Sequence, residues 1–205
     1  MEHPRHNIPE HVHGAKKDLK HSYTAEDADD AEELFVVAKN KLLDVNNWDK
    51  TSVSASAVFQ LADHHGNDLH RKAHKGDYIK INIPGPGSST GGGFDWVHIE
   101  HITYDDYPDE HTESILMEVR PCPAPVNNNE EVAHFFKDDA TSTFIIERHG
   151  KLLMAHYYGR NEVPNTEAHN TADVVRNAAV AAGALAGLSE MQWTNLIKGF
   201  LSFDE

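Results

Sequence analysis

GDYIKINIPGPGSSTGGGFDWVHIEHITY, residues Gly76 to Tyr104, decides between two fold classes. Five glycines fall within the ten residues Pro84 to Gly93, a density that resembles a phosphate cradle. A cradle of that kind needs a helix behind it, so that backbone N–H groups and the helix dipole converge on the anion. Here Phe94, Asp95, Trp96, Val97, His98 and Ile99 follow, an aromatic and β-branched run that favours strand. No lysine follows the glycines, and the spacing is not that of a nucleotide-binding loop. The stretch therefore reads as two antiparallel strands, with Ile79, Ile81 and Ile83 on one face of the first, joined by a flexible hairpin loop.

Working outward, the same two-residue period marks further strands. Val53, Ala55, Ala57, Phe59 and Leu61 alternate with mostly polar residues from Thr51 to Ala62, and Ile115, Met117 and Val119 alternate between Glu113 and Arg120. Ser142–His149 and Leu152–Tyr158 form a hairpin about His149-Gly150. Pro121 to Glu131 is a stiff polar crossover.

Helical periodicity appears at both ends. Thr24 with Asp27 makes a capping-box-like start, and Ala31, Leu34, Phe35, Ala38 and Leu42 share one face. A second helix starts near Asn170 or Thr171, with small Ala179, Gly183 and Gly187 every fourth residue, so that a neighbouring backbone can approach closely. A third carries the apolar stripe Trp193, Leu196, Ile197, Phe200 and Leu201. The prediction is an α+β domain over residues 24–205, with a curved antiparallel sheet of about six strands preceded by one helix and covered by C-terminal helices. Residues 1–23, polar and rich in His and Lys, are predicted to form a loose arm or an extended segment on the domain.

Composition narrows the function. The chain has 205 residues, 39% hydrophobic content and a net charge of −15, so it is a folded acidic globule. Nucleic acid and anionic membrane surfaces are disfavoured as partners, because both need a basic face. Sixteen histidines mean that mild acid removes most of the net charge, which lowers solubility near pH 5. The single cysteine, Cys122, sits between two prolines and excludes an internal disulfide. The sequence shows neither a secretory leader nor an apolar run long enough to span a bilayer, so a cytoplasmic location is expected.

The segment Leu34 to Lys50, LFVVAKNKLLDVNNWDK, resembles the start of the START and polyketide-cyclase-like (SRPBCC, helix-grip) superfamily. Phe35, Leu42, Asp44, Asn47 and Trp48 carry the likeness, with the terminal helix around Trp193. It departs from the pattern in showing no clear strand before the first helix and in a last helix split at Gly187-Leu188-Ser189. The resemblance implies a cavity between sheet and C-terminal helices that holds a small apolar molecule.

Candidate site residues fall in four groups. Trp96, His98 and Glu100 share a strand face, where a His–Glu pair can do acid–base work against an aromatic wall. Arg120 and Arg148 lie near strand ends, placed to orient a ligand carboxylate. Gly91, Gly92 and Gly93 form a flap at the cavity mouth. His70 and His74 become a metal pair if Asp68 to Lys75 is helical, although the glutamate of an HExxH motif is absent. No cofactor motif is present and none is expected. The readings are an apolar-ligand-binding domain, a His- or metal-dependent enzyme, and an oligomerising protein, in which a homodimer is the partner.

Overall fold

The computed structural model describes residues 7–52, 57–85, 87–126, 130–167, 171–185 and 188–203. Ten residues, Ala15–Thr24, form strand β1; helix α1 (Ala28–Leu43) and a short helix α2 (Trp48–Thr51) follow. Then come β2 (Val58–Ala62), β3 (Tyr78–Asn82), β4 (Asp95–Tyr107), β5 (Thr112–Pro121), β6 (Thr141–His149) and β7 (Leu152–Glu162). Helices α3 (Thr171–Leu185) and α4 (Leu188–Phe200) close the chain. The seven strands make one antiparallel sheet in the order β1-β7-β6-β5-β4-β3-β2. This is the predicted α+β helix-grip arrangement, with seven strands instead of about six.

The additional strand comes from the polar stretch. In β1 the residues Ala15, Lys17, Leu19 and His21 are half-buried and alternate with exposed Lys16, Asp18 and Lys20. Its partner is β7, in a register running from Ala15 opposite Glu162 to Thr24 opposite Leu152. Thr24 is thus the last strand residue and not a helix cap. Asp27 caps α1, its carboxylate accepting from the backbone N–H of Asp29 and Asp30.

At the other edge, Thr51 ends α2 and the strand begins only at Val58; residues 53–56 of the predicted strand lie outside the described residues. Asn46 ties the helix-to-strand turn to the sheet, accepting from Leu61 N–H at 2.7 Å and donating to the Leu69 carbonyl at 2.7 Å.

One face of the sheet carries the core. Phe35 and Leu42 from α1, Trp48 from α2 and Leu196, Ile197 and Phe200 from α4 bury against Ile99, Met117, Phe144 and Ile146. The Trp48 ring sits 5.1 Å from Phe144 and 5.3 Å from Phe59, and its indole N–H donates to the Leu42 carbonyl at 3.0 Å. A buried indole needs that partner. Each such side chain taken from water contributes about 1.5–3 kcal/mol. The two-residue turn between β6 and β7 has Gly150 at φ 57°, the left-handed conformation that glycine supplies cheaply at the first turn position.

A β-bulge in β4 alters the face assignment read from alternation. Ile99 pairs with Val119 and His101 with Glu118, so Glu100 is the extra residue. Val97 and Ile99 face the core. Beyond the bulge Ile102 and Tyr104 cross to the same face, and Tyr104 stacks on Phe35 at 6.3 Å. Strict alternation along the strand would put them on the face of Trp96 and His98 instead. A period of two cannot register the inserted residue.

Candidate functional site

Leu196, Ile197 and Phe200 of α4 seal one part of the sheet's core-bearing face. The rest is an open-mouthed cavity of about 410 Å³. Its floor is the sheet: Ile79 and Ile81 of β3, Val97 of β4, Val119 of β5, Phe144 of β6 and Tyr157 of β7. Its roof is helical, from Ala179, Val180 and Gly183 on α3 and Met191 and Trp193 on α4. Ile83 and Pro84, at the foot of the glycine-rich loop, line one rim; His134, Phe135 and Phe136 line another.

Small side chains make this space. Ala179 and Gly183, spaced four apart on α3, face the cavity. Their small side chains leave open volume under α3. Gly187, third in that series, lies outside the described residues. The Trp193 ring stacks on Tyr157 at 5.1 Å, so the apolar stripe of the last helix serves core and cavity together.

Among the described residues no Asp, Glu, Lys or Arg lines the cavity. Its polar groups are few: Ser142, Tyr157, His134 and Gln192, with the indoles of Trp48 and Trp193. The Ser142 and Tyr157 hydroxyls share a hydrogen bond of 3.0 Å, and Tyr157 also reaches Glu162 Oε1 at 3.4 Å. Burial raises the Tyr157 phenol well above its usual range, with the Glu162 carboxylate adding to the effect, so it stays protonated. His134 is buried, and burial lowers it to about 4 against the opposing pull of Asp95, so it is neutral at physiological pH. Its Nδ1 accepts from the Phe136 backbone N–H at 3.0 Å.

The roof is fastened by polar contacts. Arg176 of α3 pairs with both carboxylate oxygens of Asp95 and contacts Asn177 Oδ1 at 3.1 Å. Asn177 donates to the Asn165 carbonyl at 3.1 Å, and Asn165 donates to the carbonyls of Val132 and His134. The glycine-rich loop is a structured clasp. Asp173, in the first turn of α3, accepts from the backbone N–H of Ser89 and Thr90 at 2.9 and 3.1 Å and from both hydroxyls. Burial alone would raise the Asp173 carboxyl; these hydrogen bonds outweigh it and hold the group below its usual value.

The residues singled out from the sequence lie around this cavity without lining it. Trp96 is buried on the opposite face with Ala62, Ala124 and Ala133, its indole donating to the Gly91 carbonyl at 2.9 Å. His98 Nδ1 and Glu100 Oε1 do meet, at 2.9 Å, but half-exposed on that outer face beside Tyr78. Arg120 is on the outer face too, donating to the Asp138 carbonyl. Arg148 lies at the far end of β6 from Ser142, buried under α1, with its Nε 2.8 Å from Glu113 and a longer contact to Glu32. Gly91, Gly92 and Gly93 build the clasp next to the rim.

His70 and His74 are both exposed on irregular backbone between β2 and β3, so the helix needed to align them does not form. That loop is held by Arg71, which grips Asp77 with two nitrogens, at 2.6 and 2.8 Å. Among the described residues no group of three or more His, Cys, Asp or Glu side chains is placed to hold a metal ion. Burial pushes the Cys122 thiol up to about 12, with Glu100 adding, which leaves it protonated and unreactive at neutral pH. No helix among the described residues is long and apolar enough to cross a membrane.

His134, Phe135 and Phe136 line the cavity, and alternation does not single them out. The visible signal is a compact aromatic triplet between two strands, at a point where periodicity is absent.

No protein-family model and no curated protein matches the chain. Among solved structures it is similar to ginseng major latex-like protein 151 from Panax ginseng, at 11% identity and TM-score 0.37, covering 84% of this chain and 96% of that one. It is similar to a norcoclaurine synthase point mutant from Thalictrum flavum in complex with a transition-state analogue, at 11% identity and TM-score 0.36, covering 93% and 97%. A START superfamily protein from Mycobacterium smegmatis gives 9% identity and TM-score 0.33, covering 90% and 98%.

Proposed function

We propose that this protein binds a small, neutral, largely apolar molecule between the sheet and helices α3 and α4. The observation that carries the reading is the cavity wall: about 410 Å³ bounded mainly by aliphatic and aromatic side chains, with no charged group among the described residues. Ligand sites generally occupy about 300–1,000 Å³ with a few placed polar groups on an apolar lining. A charged guest would lose hydration here without finding a counter-ion. The roof over the cavity is fastened by Asp173 to the clasp and by Arg176 to Asp95.

Titration with the neutral fluorophore N-phenyl-1-naphthylamine tests the reading. Saturable binding with blue-shifted emission is expected, and Ala179→Leu, which fills the space under α3, is expected to weaken it at least tenfold without lowering the melting temperature. Absence of saturable binding in the wild type, or unchanged affinity in Ala179→Leu, counts against it.

A further inference from the structure

The cavity offers one polar group whose chemistry is fixed by its own backbone. The Ser142 and Tyr157 hydroxyls are engaged with each other and with Glu162, and Gln192, the other polar side chain of the wall, has contacts of its own. His134 differs. Its Nδ1 accepts the Phe136 N–H, and a nitrogen that accepts from an amide carries no proton. In the neutral ring the proton must then sit on Nε2, which makes that nitrogen a donor.

One backbone contact and two ring contacts hold the residue in place. Asn165 grips the His134 carbonyl at 3.1 Å, Phe135 stacks at 4.2 Å and Phe136 lies at 6.0 Å. The residue is only 6% exposed, and the ring forms part of the cavity wall. Asp95 and Arg176 are the charged groups that influence it, and they are paired with each other. The wall therefore presents a rigid, uncharged N–H donor in an apolar setting.

We infer that His134 is the specificity-determining residue of the cavity, and that its ligand carries a neutral acceptor oxygen, a ketone or ester carbonyl, which accepts from Nε2–H. This rests on the cavity being a ligand site. A hydrocarbon guest would cover the N–H without replacing its water, whereas a carbonyl replaces it. Leaving a buried donor unmatched is the costlier outcome.

Benzophenone and diphenylmethane, which differ by one carbonyl in place of a methylene, make a matched pair of probes. Displacement of N-phenyl-1-naphthylamine from the full chain is expected to give about tenfold tighter binding for benzophenone. In His134→Phe the two probes become equal, with diphenylmethane held at least as well as in the wild type. In His134→Gln, which keeps an N–H donor, part of the preference returns. The ¹⁵N resonance of His134 Nε2 should move with benzophenone and stay still with diphenylmethane, a readout that needs no variant to fold. Equal affinities in the wild type with an unmoved Nε2, or a ketone preference that survives in His134→Phe, overturns the role of His134 alone. If no probe binds, N-phenyl-1-naphthylamine included, the ligand-site reading falls and this inference with it.

Discussion

Arg176 on α3 holds Asp95 at the start of β4 through two parallel N–H···O contacts, one of 3.0 Å, and the two side chains are 6% and 0% exposed. This pair joins the cavity roof to its floor. Removing one partner of a buried ion pair strands the other charge, at a cost of about 3–5 kcal/mol, while replacing both with apolar groups is far cheaper. Arg176→Met should therefore lower unfolding free energy in urea by that amount, and Arg176→Met with Asp95→Leu should recover most of it. Additive losses in the double variant would show that the two groups act independently.

His134 should give the fold an acid-sensitive component. Its folded value is about 4, against 6.5 for an unperturbed ring, so the unfolded chain takes up the proton first as pH falls. The contribution is complete above about pH 6.5, shrinks between 6.5 and 4, and stops changing below 4. The sum is about 3 kcal/mol for a fully buried ring. Asp95, Arg176 and the Phe136 N–H face it, so their balance sets the magnitude. Denaturation curves from pH 7 to 4 should show a smaller decline in His134→Phe than in the wild type.

The glycine-rich loop separates stability from ligand retention. A Cβ on Gly91 would stand 1.9 Å from the Phe94 carbonyl oxygen, and Gly93 has φ 97°. Alanine at either position should cost about 1–3 kcal/mol of stability by backbone strain. Ser89→Ala with Thr90→Val removes side-chain donors to Asp173 while sparing that backbone. It should speed probe dissociation several-fold in stopped-flow measurements, with a smaller loss of stability than Gly91→Ala.

Gly199 makes a counterintuitive case. Alanine normally improves a helix interior by about 1 kcal/mol. Here a Cβ would lie 1.9 Å from the Thr51 carbonyl oxygen, where α4 crosses the end of α2. Gly199→Ala should therefore lower the melting temperature, and a rise would show that the two helices can separate without loss.

What could be read from the sequence follows from what alternation reports. Val97 and Ile99, Met117 and Val119, and the hairpin at Gly150 were legible because one face of each strand meets the core. β1 was not, because an edge strand carrying Lys16, Asp18 and Lys20 shows only a faint apolar face. The bulge at Glu100 inverts the pattern within β4 and leaves no compositional trace. The site was harder still. His134 becomes a cavity wall only because Asn165 and Asn177, far along the chain, fix the segment that carries it. Trp96 stands apart from the cavity for a related reason: its aromatic bulk fills a second cluster with Cys122, Ala124 and Ala133.

The partnership of β1 with β7 has a consequence for how the chain assembles. Lys17 and Glu162 meet from positions 145 residues apart, whereas β2 to β7 pair in sequence order except at the β7–β1 seam. During synthesis from the N-terminus, β1 emerges before β7 and waits for it to complete its ladder. Contacts this distant form late, after the entropy of closing the intervening chain has been met. The lysines and aspartate on the outer side of β1 then act as guards, keeping a waiting strand from pairing with the wrong neighbour.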